Sequence, residues 1–547
     1  MAYLPRFAAP RELPPGLEAS CRSPGYVDLS DWEDLDDLAA SLMGNAADER
    51  MSSRLLQLAA AAGVCVVAAV TVACGGTTKA GVSGDAGAAL LSSRALAYVS
   101  VDSDLGSGQW QQLDKLLKKF PGRDTLLTSI RRGLAEKQLD YDRDIKPALG
   151  PEVDAAVFTG ATPDDIAVGV LTKPDSLDKA RALIRKLKAG SGRSETTASK
   201  VIDGWLIVSD TETHLERTLK GSGTSLADDQ TFKDALGEQP SDGLAKAYVN
   251  GPQLAELADK AYGGSAQATA VGGASQFGLD KLKWIAASLA AQDDGIKLEG
   301  DFDISDGGFA GSSTTSKLIS GVPADALAFV NFHGRSRADL LRKLRASPQL
   351  DQSLKVLEQE LGMPLDDVLA LFEHETAFYV RRGPGLPEFS LVLEAPDTAQ
   401  ALATIDRLAK RVATFVPARL GNETQDGLDV KTLNFGALTL RWAGFDGRVL
   451  LTTAPTGIAD YRATGDKLGD NSAFKDALDA AGAPDKTNGL FYVNVADAME
   501  LAKSYAGLGG TTLPPEVREN LKPLRSFVAF ATSSGDLTKT SAFLEIK

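Results

Sequence analysis

The sequence predicts an α+β protein built by internal duplication: two homologous halves, each a mainly antiparallel sheet with helices packed on it. Three observations predict it. Short segments recur in the same order, 222 to 244 residues apart. Apolar and polar residues alternate with the two-residue period of half-buried strands. Asp-Gly turns join neighbouring strands as hairpins. The recurrences begin with Ala95-Leu96-Ala97-Tyr98-Val99, which returns as Ala326-Leu327-Ala328-Phe329-Val330. Pro174-Asp175 returns as Pro396-Asp397, and Phe232-Lys233-Asp234-Ala235-Leu236 returns unchanged as Phe474-Lys475-Asp476-Ala477-Leu478. Tyr248-Val249-Asn250 returns as Tyr492-Val493-Asn494, and Trp284-Ile285-Ala286 as Phe527-Val528-Ala529. Fixed order at near-constant spacing is the signature of a repeated unit.

In chain order, residues 1–50 come first, rich in Pro and then acidic through Asp31, Glu33, Asp34, Asp36 and Asp37. They read as a disordered extension, or as sequence ahead of a true start at Met51. Residues 51–73 read as an export signal. Arg54 supplies positive charge, Leu55 to Ala73 is apolar but for Gln57, and Thr71-Val72-Ala73 places small residues before Cys74. Cys74 is thereby the candidate lipidation site of a lipoprotein. The same 19 residues, at about 1.5 Å rise each, also approach the length of a membrane span. On either reading the rest of the chain is anchored at the extracytoplasmic face of the cell membrane. Cys21 and Cys65 precede Cys74, so the exported part has no second cysteine and no internal disulfide. Residues 74–90, dominated by Gly, Ala, Ser and Thr, read as a flexible tether.

The first half is expected over residues 91–310 and the second over 318–547. Each opens with a strand (96–101; 327–332) and a helix, followed by a hairpin (154–159 with 166–172; 376–381 with 389–394). A helix then places Leu177, Ala180, Leu183, Ile184 and Leu187, or Leu402, Ile405, Leu408 and Val412, on one face. Asp175 and Asp397 are its expected N-caps. A second hairpin turns at Asp203-Gly204 and Asp446-Gly447. One more strand (245–249; 491–495), a helix and a closing hairpin complete each half. Helices are expected on one side of each sheet, with the halves side by side about a pseudo-twofold axis. Residues 263–278 and 507–520 read as loops.

The net charge of −15 argues against nucleic acid as a partner, because phosphate backbones repel an acidic surface. Residues 1–73 hold five basic and ten acidic side chains, which leaves about −10 for the rest. Chemistry is sparse. Glu373-His374-Glu375 resembles a zinc fragment but lacks a second histidine four residues on, and His214 and His333 stand apart. Asp140, Asp142 and Asp144 begin like a calcium loop, yet Ile145 stands where that loop needs Gly and Pro151 where it needs Glu. Asp144 aligns with Asp366, which suggests a helix cap shared by both halves. No Gly-x-Ser-x-Gly elbow or phosphate loop occurs, and Gly272-Gly273-Ala274-Ser275 is low-complexity sequence. No catalytic, metal or cofactor residue is assigned, and no cofactor is expected.

The openings of the halves carry a resemblance. Ala97-Tyr98-Val99-Ser100-Val101-Asp102, Leu116-Leu117-Lys118-Lys119-Phe120-Pro121-Gly122 and Asp144-Ile145-Lys146-Pro147-Ala148-Leu149-Gly150 look like an actinobacterial envelope family. It is the domain-of-unknown-function family number three thousand three hundred and fifty-two. The resemblance covers about Leu96 to Lys547 and implies an exported or membrane-anchored protein, with no activity to carry over. The expectation is therefore a membrane-anchored lipoprotein with a non-enzymatic binding or scaffold role in the cell envelope. It would hold a hydrophobic or glycan ligand between the halves, or an envelope protein. The alternatives are a hydrolase of envelope polymers using carboxylates such as Glu152 or Asp154 as acid and base, and a purely structural spacer.

Overall fold

The computed structural model describes residues 86–191, 197–262, 278–305, 313–334, 336–345, 348–436, 438–508 and 513–547. The extension at 1–50, the export signal at 51–73, Cys74 and the tether up to residue 85 lie outside the described residues. The last stretch of the expected tether, Gly87–Leu90, is a 3₁₀ turn with Ala88 fully buried. The folded body thus starts before residue 91. Small residues that look idle in the sequence are here the ones that allow close packing.

Among the described residues, strands β1 (Ala97–Asp102), β2 (Glu152–Thr159), β3 (Ile166–Thr172), β4 (Ala198–Ile202), β5 (Trp205–Ser209), β6 (Ala245–Asn250), β7 (Leu282–Gln292) and β8 (Gly295–Ile304) form a first arm. The second arm holds β9 (Ala328–His333), β10 (Glu375–Arg381), β11 (Glu388–Glu394), β12 (Arg419–Gln425), β13 (Leu428–Asn434), β14 (Thr439–Phe445), β15 (Arg448–Thr452), β16 (Gly489–Asn494), β17 (Leu524–Ser534) and β18 (Leu537–Ile546). The expected strands are present, with most ends shifted by one or two residues. Asp203, Gly204, Asp446 and Gly447 all have positive φ, as the two hairpin turns require.

Two expectations are corrected. Instead of one sheet per half, a single antiparallel sheet of 18 strands runs through both arms. From edge to edge the pairing is β4-β5-β3-β2-β1-β6-β7-β8, then β18-β17-β16-β9-β10-β11-β15-β14-β13-β12. The arms fuse where β8 pairs with β18 from Gly295↔Glu545 to Asp303↔Leu537. Each final hairpin left a free edge strand, and the two edges satisfy one another's backbone groups.

Helices also lie on both faces, not one. On the first face Phe232 of the helix Gln230–Gly237 meets Tyr98 and Tyr248 edge-on, at 5.4 and 5.1 Å. Phe474 of the helix Ser472–Ala481 meets Tyr492 in the same way, at 4.8 Å. On the second face the helix Leu177–Ser191 buries Ala180 against Leu206. The helix Thr398–Phe415 buries Ile405 with Trp442 and Leu433. The Tyr98 side of β1 and the Val99 side therefore each meet a helix somewhere along the sheet. Apolar side chains on alternate strand residues require cover on both sides.

Asp397 caps the helix Thr398–Phe415 by accepting from Gln400 N at 3.0 Å. In the first arm Ser176, rather than Asp175, accepts from Lys179 N, at 3.4 Å. The hairpin β12–β13 was not foreseen. Its turn, Asp426-Gly427 with φ of 47° and 76°, carries the same dipeptide signal as the two turns that were.

Candidate functional site

At the centre of the second face lies an open apolar trough, fixed residue by residue by strand register. Directly paired residues share a face. Leu298 pairs with Ala542, Ala542 with Ala529, Ala529 with Phe491, Phe491 with Val330, and Val330 with Phe378. Beside that row runs a second: Ala287, Gly300, Thr540, Ala531, Gly489 and Phe332. The second row continues into the first arm through Ala247, Val99, Ala155 and Val170. Thr540 is the one polar side chain in these two rows.

Glycine and alanine keep the floor low, while Leu298, Phe332 and Phe491 rise from it. Leu298 is 49% exposed, and Phe332, Phe491 and Phe389 on the same face are each about two-fifths exposed. A cavity of about 410 Å³ opens there, lined by Leu298, Val330, Phe491, Ala529, Ala531 and Ala542 among others. Nearby rings pair on the same face: Phe378 stacks with Phe389 at 6.1 Å, and Phe491 meets Phe527 edge-on at 5.8 Å. A monomeric protein rarely leaves such a contiguous apolar surface open without a use for it.

The other face of these strands carries the aromatic core and, beside it, one polar row. Ser100, Lys246, Ser288, Glu299 and Ser541 follow one another in register. Asp154 pairs with Ser100 and is fully buried. Neither of its oxygens makes a well-formed hydrogen bond, although Ser100, Glu152 and Tyr98 surround it. Burial, with the neighbouring Glu152 charge, pushes its carboxyl well above the usual range. Asp102 is pushed up to about 6 by burial, against a hydrogen bond from Ser107 at 2.5 Å. Asp301 is also pushed up to about 6 by burial, with Lys539 opposing the shift.

Glu152 and Asp154, named from sequence as an acid and base pair, sit two residues apart on β2 and point to the same covered side. They do not face each other across a cleft. The other sequence candidates also resolve locally. Asp140 caps the turn Tyr141–Ile145 by accepting from Arg143 N, and Asp144 pairs with Arg143 at 2.9 Å and Lys186 at 3.0 Å. Asp144 and Asp366 are not a shared cap. Pro364 precedes the helix Leu365–Leu369, and Asp366 pairs with Arg337 at 3.4 Å. His214 contacts Asp210 at 2.6 Å and Asp165 at 3.3 Å, and His333 lies 3.9 Å from Glu375. Among the described residues, no group of three or more His, Cys, Asp or Glu is placed to hold a metal. Also among these residues, no helix is long and apolar enough to cross a membrane.

Sequence reasoning missed the trough, although its signal was present. The strand segment 296–302 carries apolar residues at alternate positions and 527–531 is apolar throughout, but neither pattern says which apolar face stays open. Two further cavities are polar. One of about 600 Å³ is lined by Arg448, Arg462, Lys467 and Asp460, and one of about 520 Å³ by Arg94, Arg217 and Lys260.

A family profile described as "Protein of unknown function (DUF3352)" matches residues 55–546. The chain belongs to this family. No curated protein matches this DUF3352 chain in sequence. Among solved structures, crystal form IV of TP0453 is 8% identical, with a TM-score of 0.22, over 42% of this chain and 81% of that one. Crystal form III of TP0453 is likewise 8% identical, with a TM-score of 0.22, over 42% and 92%.

Proposed function

We propose that this protein is a non-enzymatic, membrane-anchored binding protein of the cell envelope that lays an extended hydrophobic ligand, of acyl-chain type, along the trough. The observation that carries the reading is the apolar floor, which crosses the junction of the arms with a single hydroxyl in its two central rows. Covering such a surface returns about 25 cal/mol per Å² of apolar area removed from water. An acyl chain needs no hydrogen-bonding partner from the floor. A glycan would need several, and only Thr540 offers one there.

Anchoring rests on the sequence of residues 51–76, with Cys74 as the lipid acceptor, and places the body on the extracytoplasmic face. The reading includes an internal duplication. β1–β8 and β9–β18 follow the same order apart from the additional hairpin β12–β13, and the pairing of β8 with β18 sets Glu299 opposite Ser541. A duplicated edge-to-edge junction makes one continuous floor from two half-sites.

The test is photocrosslinking. Cells expressing the full chain are fed a diazirine-labelled fatty acid, and the adducts are mapped by peptide mass spectrometry. Adducts are expected on peptides carrying Leu298, Phe491 and Phe332, and their loss is expected in an Ala529→Trp variant that fills the floor. Adducts confined to residues 51–76 would show a lipid anchor with an unused trough.

A further inference from the structure

A second apolar surface lies away from the trough, at the corner where the helix Thr398–Phe415 ends beside the hairpin β12–β13. Phe415 is 69% exposed and Leu420 is 47% exposed; Val412, Val416, Phe435 and Leu438 are each about two-fifths exposed. Register brings them together. Leu420 pairs with Leu433 and Leu433 with Leu440, so these three share the face that the helix covers. Phe435 and Leu438 continue that face around the next turn, where Phe435 N donates to the Leu438 carbonyl at 2.8 Å. Val416 N donates to Val412 O at 3.2 Å, which holds the end of the helix against the same corner.

The charges on the corner's own segments, 410–420 and 434–439, are basic, against a chain of net −15, with the exposed Glu360 as an acidic neighbour. Arg411 lies 4.7 Å over the Phe415 ring and donates Nε to the Glu360 carbonyl. Arg419 makes no ion pair among the described residues, and Lys410 adjoins Arg411. Aromatic and aliphatic tips ringed by arginine suit the boundary between lipid headgroups and acyl chains, where the rings enter and the guanidinium groups remain with phosphate. In the first arm β4 is the next described strand after the helix Leu177–Ser191, whereas the second arm places the hairpin β12–β13 between the helix Thr398–Phe415 and β14. Half of the corner is thus built by an element that the first arm lacks.

We infer that the corner formed by Phe415, Val416, Leu420, Phe435 and Leu438, with Arg411 and Arg419, docks the body on an anionic membrane surface. The inference does not depend on what occupies the trough. It gives the body a fixed contact with the bilayer in addition to the anchor at residues 51–76.

The test uses the full chain in vesicles containing phosphatidylglycerol brominated high on its acyl chains. Phe435→Trp reports the corner. Lys475→Trp, on the helix Ser472–Ala481 across the sheet, is the control. Quenching about twofold or more stronger for F435W than for K475W is expected, with the excess lost when Arg411→Glu and Arg419→Glu are added. Equal quenching at both sites in vesicles that carry the chain on flotation overturns the docking and leaves the anchor standing. Failure to float with no quenching overturns both. Equal excess quenching with zwitterionic lipid overturns the anionic assignment. A shifted, protected F435W emission in detergent at high protein concentration identifies a second copy as the occupant instead.

Discussion

The two arms treat a buried carboxylate near the same strand end in opposite ways, although by register Glu375 stands where Glu152 does and Asp154 where Ala377 does. On β10, Glu375 accepts from Lys317 N at 2.8 Å, Leu318 N at 3.3 Å and Asn331 Nδ2 at 3.0 Å, and also from the Ser316 hydroxyl. It ties the turn Leu318–Gly321 to the sheet. On β2, Asp154 lies against the corresponding turn, with Oδ2 where a Cβ on Gly87 would stand, and neither of its oxygens makes a well-formed hydrogen bond. The same strand scaffold therefore holds one acid as a hydrogen-bonded clamp and the other as a carboxyl driven toward its neutral form. Topology supplies the location, and at Asp154 burial with the neighbouring Glu152 charge favours the neutral form.

Substitutions can break this contrast, and Glu375→Ala is expected to be the most damaging. It strands two backbone N–H groups and the Asn331 amide in the interior, and about 3–4 kcal/mol of stability should be lost in urea unfolding at pH 7. Next comes the buried cation of the second arm. Arg381 meets Glu388 at 2.9 Å, Asp460 at 2.7 Å and Asp325 at 3.6 Å, whereas Arg217 in the first arm pairs among the described residues with Asp165 alone, at 2.9 Å. Arg381→Met should cost about 2–3 kcal/mol. Arg217→Met, at a half-exposed pair, should cost under about 1 kcal/mol, and equal losses would show that the network adds nothing.

Asp154→Asn sharpens the comparison through pH. The folded pKa is raised, so between the ordinary carboxylate value and the raised one the folded state holds more protons than the unfolded state. Stability then falls as pH rises through that window. Asp102 and Asp301, each at about 6, add to the same fall between about pH 4 and 6. The Asn variant should match wild type near pH 4 and exceed it by about 1–2 kcal/mol at pH 7. Parallel stability curves against pH would remove Asp154 as a source of the slope. The smallest effect on folding is expected in the trough. Leu298→Ser, half exposed, should change stability by no more than about 0.5 kcal/mol while abolishing fatty-acid crosslinking.

Much of the fold was legible. Alternation placed β1, β3 and β6 to within a residue or so, and Asp-Gly dipeptides placed the tight turns because few other pairs accept two successive positive φ angles. The hairpin at Asp426-Gly427 carried the same signal, but its strands Arg419–Gln425 and Leu428–Asn434 are too polar to show a clear period. Asp154 was legible as an acidic residue but not as a buried one, because its burial depends on Gly87, 67 positions away in sequence. The trough was legible only as apolar strand patterning.

The sequence by itself determined which residues share a strand face, where hairpins turn and which helix stripes are apolar, since each follows from local period and local φ preference. Only the tertiary structure decided that β8 pairs with β18, because backbone hydrogen bonds between edge strands carry no sequence code. That pairing fuses the arms into one sheet and aligns Leu298, Ala542, Ala529 and Phe491 into a single floor. On that face the helix Gly108–Leu117 packs through Trp110 and Leu116 on Ala291 and Ile546 at one end of the same strands, and the floor lies beside it.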